Sequence, residues 1–136
     1  RRAAEAQGRS GGLTIAAGDF SIESGLREAA ALLAGPERPT AIFCFSDEMA
    51  MGALEAIRRA GLDCPHDVSL MGFDDIRFAE YLDPPLTTVS QPMDRIGHEA
   101  VRLLLDILSG RAQALEHVTL PHRLVVRGST ARAALP

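Results

Sequence analysis

A chain of 136 residues, 46% apolar and 24% charged, has the composition of a globular domain with one moderate core, which excludes disordered and collagen-like classes. Its net charge is −4 and its 14 basic residues are all Arg; the missing Lys excludes Schiff-base chemistry, a Lys-dependent phosphate loop and a phosphoacceptor receiver site. The Arg residues are scattered, which gives no electrostatic footprint for nucleic acid, and no apolar run approaches the roughly 20 residues that span a bilayer.

In chain order, residues 1–7 read as the end of a helix stopped at Gly8. Residues 13–17 are expected to form a short strand, followed by a helix with Ser21 as N-cap and Glu23 in its first turn. Ile22, Leu26, Ala29, Ala30 and Leu33 recur at helical spacing until Gly35 and Pro36 end the pattern. Residues 41–45 are continuously apolar, the pattern of a strand covered on both faces in a parallel sheet. A helix over 47–60 then places Ala50, Ala53, Leu54 and Ile57 on one face, with Gly61 as its stop, and "DVSLMGF" reads as the next strand.

This β-α-β alternation calls for parallel strands joined by right-handed crossovers, an α/β layered fold. Farther on come a β-branched run at 86–90, a helix over 94–109 with a broad apolar face, and extended pieces at 118–120 and 124–126 split by Pro121. The expected total is about six short strands and three to four helices. That is few for a closed sheet with such apolar strands, so part of the fold is expected to lie outside the chain.

Cys44 and Cys64 form no disulfide framework and point to a reducing, cytoplasmic setting. The four His residues lack ligand spacing, so no metal and no cofactor is expected. In an open parallel sheet, ligands bind beyond the carboxyl ends of the strands. Asp19, Phe20, Ser46, Asp47, Asp74 and Asp75 occupy those positions. An aromatic ring, a hydroxyl and carboxylates on one crevice suit a polyhydroxylated ligand such as a sugar or nucleoside. The plainer alternatives are a helix cap for Ser46 or Asp47, a cap or turn role for Asp75, core for Phe20, and a Mg²⁺ cluster of Asp47, Asp74 and Asp75. No Ser-His-Asp set or other catalytic constellation assembles, which argues against an enzyme.

Residues 39–92, "PTAIFCFSDEMAMGALEAIRRAGLDCPHDVSLMGFDDIRFAEYLDPPLTTVSQP", with the upstream "GDFSIESG" and the late "LVVRGST", resemble the effector-binding domain of the LacI/GalR transcriptional regulators. Within that family "FCFSDEMAMGAL", "PPLTTVSQP" and "RGSTARAALP" are most similar to the cytidine-repressor branch, which senses nucleosides. The resemblance implies a periplasmic-binding-protein-like (type I) fold present in part. Residues 1–90 would be an incomplete C-terminal effector-binding subdomain ending in a crossover strand at 86–90. Residues 91–116 would be a helix of the N-terminal subdomain, and 117–136 return strands and a tail. The DNA-binding headpiece would lie outside the chain.

Carried over by position, the resemblance makes Phe20 the stacking aromatic, Ser46 a pocket residue where the family usually has Asn, Asp74 the hydroxyl-binding carboxylate and Met93 the apolar residue closing the pocket. It puts Met51 and Leu82 on a homodimer face, to which the crowded apolar groups near Phe78 add. It implies a small-molecule effector (nucleoside or sugar), contact with operator DNA through the missing headpiece alone, and no membrane partner. A periplasmic solute-binding protein is the competing reading of the same scaffold.

Overall fold

The computed structural model describes residues 6, 8, 12–111 and 117–132. Helix α1 (Ile22–Leu33) starts where the Ser21 hydroxyl accepts the Ser24 N–H at 3.0 Å, satisfying one of the donors that a first helical turn leaves open. Strand β1 (Ala41–Phe43) leads into helix α2 (Asp47–Arg59), and strand β2 (Ser69–Asp74) follows. A 3₁₀ turn (Arg77–Tyr81), strand β3 (Thr87–Ser90), helix α3 (Met93–Leu108) and strand β4 (Arg123–Val125) complete the described elements. The sheet order is β1-β2-β3-β4, with β1, β2 and β3 parallel and β4 antiparallel to β3.

Helix α2 ends as its sequence dictates. Gly61 takes a left-handed φ of 70°, the Gly61 N–H reaches the Arg58 carbonyl and the Leu62 N–H reaches that of Ile57, a Schellman closure. Its expected face is the core: Ala50, Ala53, Leu54 and Ile57 are buried together with Ile42, Val68, Leu70 and Leu86. Helices α1 and α2 approach until their backbones touch. A Cβ on Gly25 would lie 2.1 Å from the Met49 carbonyl oxygen, and one on Gly52 would lie 2.0 Å from that of Ile22. Small residues on both helices permit this crossing.

Residues 13–17 do not form the expected strand. They are exposed, and among the described residues no strand edge runs beside them to supply ladder bonds. Residues 118–120 are likewise outside any strand, so four strands are found among the described residues instead of six. The two-sided cover expected for residues 41–45 is also missing. Ile42 and Cys44 are buried, whereas Phe43 and Phe45 face outward and stack edge-on at 5.2 Å. Helix α3 has no buried residue at all; Ile96, Val101, Leu104 and Ile107 are exposed. The helical end expected over residues 1–7 lies almost wholly outside the described residues.

Candidate ligand site at the carboxyl edge of the sheet

Because β1, β2 and β3 run parallel, the residues that follow them emerge at one edge. Ser46 comes three residues after β1, Asp74 closes β2, and Met93 comes three residues after β3. Phe20 reaches the same edge from the segment ahead of α1, since Gly18 lies against the Met49 side chain in the first turn of α2. The four expected ligand residues therefore share one rim of the fold.

Their states differ. Phe20 is 62% exposed and is not core. It sits at φ 68°, a left-handed conformation that costs a bulky residue about 1–3 kcal/mol and needs support from its surroundings. Asp19 supplies it. The Asp19 carboxylate accepts the Ser21 hydroxyl at 2.5 Å and the Ser21 N–H at 3.0 Å, bracketing Phe20. Those bonds, from the Ser21 hydroxyl above all, hold the Asp19 carboxyl down to about 2. Met93, at the first turn of α3, is exposed.

Ser46 is buried, and its hydroxyl caps α2 by accepting the Met49 N–H at 3.1 Å. The capping role thus falls to Ser46 and not to Asp47. Asp47 has turned away from its own helix end: Oδ1 accepts the Thr88 hydroxyl at 2.6 Å and Oδ2 accepts the Ile76 N–H at 2.8 Å. Burial pushes its carboxyl above the ordinary carboxylate value, against the two hydrogen bonds, which act to lower it.

Asp74 and Asp75 form a turn with φ values of 110° and 58°. The Asp74 carboxylate accepts the Gln91 side-chain amide at 2.8 Å and remains half-buried. Asp75 does not cap the 3₁₀ turn, whose N-cap is Ile76 without a side-chain bond. It receives Arg127 at 2.7 Å, with Arg123 at 3.8 Å. Burial works against its charge, but hydrogen bonds from Arg127 and Ser90 and the two guanidinium charges hold it below the ordinary carboxylate value. No group of three or more His, Cys, Asp or Glu among the described residues can hold a metal ion, and the three carboxylates Asp47, Asp74 and Asp75 have separate partners.

Sequence reasoning missed the supports. Arg127 and Ser129, inside "RGST", close the site from behind: Arg127 also donates to the Leu86 carbonyl at 2.8 Å, while the Ser129 hydroxyl donates to Leu70 and accepts the Thr87 N–H. Nothing local signals such long-range pairings, which depend on β2, β3 and β4 being neighbours. A cleft of about 470 Å³ opens next to this edge, between α3 and the segment near Val118 and Leu120. Gln91 and Phe73 line it; none of the four expected ligand residues, Phe20, Ser46, Asp74 and Met93, does.

For the expected interface residues, Phe78 is 63% exposed and its neighbour Tyr81 is 70% exposed. Met51 is half-buried, and Leu82 packs part of its side chain against the core.

A mostly parallel sheet flanked by helices, with an aromatic, a hydroxyl and a carboxylate at its carboxyl edge, defines a binding domain of the periplasmic-binding-protein type. The model of the family described as periplasmic binding protein-like domain matches residues 1–130. The chain belongs to this family, among its LacI-type regulators. It is 47% identical over 122 residues to the HTH-type transcriptional repressor CytR of Escherichia coli strain K12, a match covering 90% of this chain and 35% of that protein. Among solved structures it is similar to the transcriptional regulator CelR in complex with cellobiose, with a TM-score of 0.86, 36% identity, and 95% of this chain and 40% of that one covered. It is similar also to the lac repressor dimer bound to operator and an anti-inducer, with a TM-score of 0.76, 36% identity, and coverage of 83% and 39%. The chain spans about a third of the length of the curated relatives it matches, 35% for CytR.

Proposed function

We propose that this chain is the ligand-sensing and dimerisation part of a LacI-type transcriptional regulator whose small-molecule effector changes its affinity for operator DNA. The observation that carries the reading is the rim itself: Phe20 held out into solvent and, at the end of β2, a carboxylate at Asp74 fixed by Gln91, in a chain 47% identical to a transcriptional repressor. Phe20 stacks on an apolar face of the effector, Asp74 accepts from its hydroxyls, and Met93 closes over it. Ser46 contributes as a buried neighbour whose hydroxyl already caps a helix. The effector class is a nucleoside or a sugar, with a nucleoside favoured by the likeness to CytR; that the similar CelR structure is a cellobiose complex supports a polyhydroxylated ligand.

In this reading residues 1–90 form most of a C-terminal subdomain, and α3 belongs to an opposing subdomain. That assignment accounts for the exposed apolar faces of α3 and of Phe43 and Phe45, which the rest of a longer protein would cover. Met51, Phe78 and Leu82 form the homodimer face, and operator contact runs through a headpiece outside this chain. The protein is not an enzyme and works in the cytoplasm. The effector acts by binding two states of the regulator with different affinity.

The test is operator release by the full-length protein, titrated with cytidine and with ribose. Cytidine is expected to shift operator affinity, and Asp74→Asn to abolish that shift while operator binding persists. An unchanged response in Asp74→Asn would refute the site.

A further inference from the structure

The carboxylate at Asp47 lies where four parts of the fold converge, and none of its bonds serves the helix on which it stands. Ser46 caps α2, so Asp47 is free to reach sideways. Its two oxygens are divided between β3, through the Thr88 hydroxyl at 2.6 Å, and the turn after β2, through the Ile76 N–H at 2.8 Å. Thr88 extends the arrangement, because its hydroxyl also accepts the Asp75 N–H at 3.4 Å. The side chain is fully buried. Its seat exists because residue 72 is Gly: a Cβ there would lie 2.2 Å from Asp47 Oδ1.

What these bonds grip is the backbone of the ligand rim. Asp74 and Asp75 both have left-handed φ, a state that non-glycine residues leave unless something opposes it. The two N–H groups directly after Asp74, those of Asp75 and Ile76, are the ones that Thr88 and Asp47 hold. We propose that Asp47 is a positioning residue for effector binding: by holding the Asp75–Ile76 backbone it fixes the direction of the Asp74 carboxylate, without touching the effector itself. This rests on the reading of Asp74 as the effector's hydroxyl acceptor.

The substitutions differ in what they remove. Asp47→Ala deletes both acceptors and leaves the half-buried Ile76 N–H without its side-chain partner. Asp47→Asn keeps one carbonyl oxygen for that N–H and turns its amide toward Thr88, whose hydroxyl can accept. Thr88→Val keeps the shape of residue 88 and removes the hydroxyl that links Asp47 to Asp75.

Calorimetric titration of the full-length protein with cytidine, alongside urea unfolding, tests the assignment. The expected result is a Kd raised about tenfold or more by Asp47→Ala and about fivefold by Thr88→Val, with Asp47→Asn within about threefold of the parent. On an Asp74→Asn background, Asp47→Ala is expected to change Kd by less than about twofold, because a residue acting through another has no further effect once that one is removed. A purely structural role would lower the urea midpoint and leave the Kd of the folded protein unchanged, which would overturn the proposal. Additive losses in the double variant would overturn it as well. If Asp47→Ala fails to fold, Thr88→Val decides alone. Absence of binding of both cytidine and ribose by the parent, or an Asp74→Asn variant that binds as the parent does, would instead remove the functional reading on which the proposal stands.

Discussion

Arg127 and Asp75 meet at 2.7 Å across the sheet, tying the turn after β2 to the segment that follows β4. Both side chains are largely buried, so the pair escapes most solvent screening, and Arg127 makes a second bond to the Leu86 carbonyl. The Asp75 carboxyl is held below its ordinary value of 3.8. A carboxyl depressed in the folded state contributes stability that is complete above that ordinary value and is lost as pH falls through the folded one. Asp75→Asn is therefore expected to cost about 2 kcal/mol at pH 7 and to lose less stability than the parent on acidification below pH 3.8. Urea midpoints measured from pH 7 down to pH 3 check this. Parallel pH curves for parent and variant would show that the pair adds no stability. Asp47 acts with the opposite sign: burial raises its carboxyl, so its share of stability falls as pH rises through the carboxylate range.

The crossing of α1 and α2 predicts intolerance at Gly52. An added Cβ would meet backbone atoms of the facing helix, the Ile22 carbonyl oxygen at 2.0 Å and the Leu26 nitrogen at 2.6 Å, and neither can swing aside. Gly52→Ala gains about 1 kcal/mol of helix propensity yet should be destabilising by about 2 kcal/mol net, since the helices must separate. Gly25→Ala acts on the same crossing, its Cβ lying 2.1 Å from the Met49 carbonyl oxygen. The double variant should lose less than the sum of the singles, because the first separation makes room for the second methyl. Strict additivity in urea unfolding would refute a shared crossing.

Local periodicity made α1, α2 and β2 legible in the sequence, because each is stabilised by patterns within its own residues. The apolar face of α2 and its Gly61 stop are found as expected. Residues 13–17 failed for the complementary reason: a strand exists through its neighbour, and the described chain provides none. Phe43 and Phe45 read as covered because a buried strand and a strand awaiting its cover have the same composition. At the site, the positions of Ser46 and Asp74 followed from topology once the strands were known to be parallel; that of Phe20 did not, since residues 13–17 form no strand, and Met93 came from the family resemblance alone. The roles of Asp47, Gln91, Thr88 and Arg127 did not follow either, since each depends on a partner 13 or more residues away.

Phe20 offers a test of ligand contact separate from stability. Its ring is exposed and its conformation is held by Asp19 and Ser21, so removing the ring leaves the fold intact. Phe20→Ala in the full-length protein is expected to weaken cytidine binding by about tenfold, from the roughly 1–1.5 kcal/mol of a stacked ring. Phe20→Tyr should retain binding within about twofold. Isothermal titration decides, and a Phe20→Ala variant with parental affinity would remove Phe20 from the site.

Self-association is expected through the 3₁₀ turn after β2. Phe78 and Tyr81 project two large rings from one short 3₁₀ turn, 63% and 70% exposed, beside Leu82, which shares its side chain between core and surface. Two such rings left in water on one short segment form a patch of the kind that partners cover. The lac repressor structure similar to this chain is a dimer on operator. In a two-fold dimer the same patch serves both subunits, and each subunit addresses one half-site. Leu82→Asp would injure the core as well as the surface, which makes Phe78 the cleaner probe. Phe78→Glu in the full-length protein should give a monomer by sedimentation at micromolar concentration with an unchanged circular dichroism spectrum. Operator affinity should fall by about a hundredfold or more, because a single headpiece loses the avidity of the linked pair. A Phe78→Glu protein that stays dimeric at that concentration would place the interface on another face.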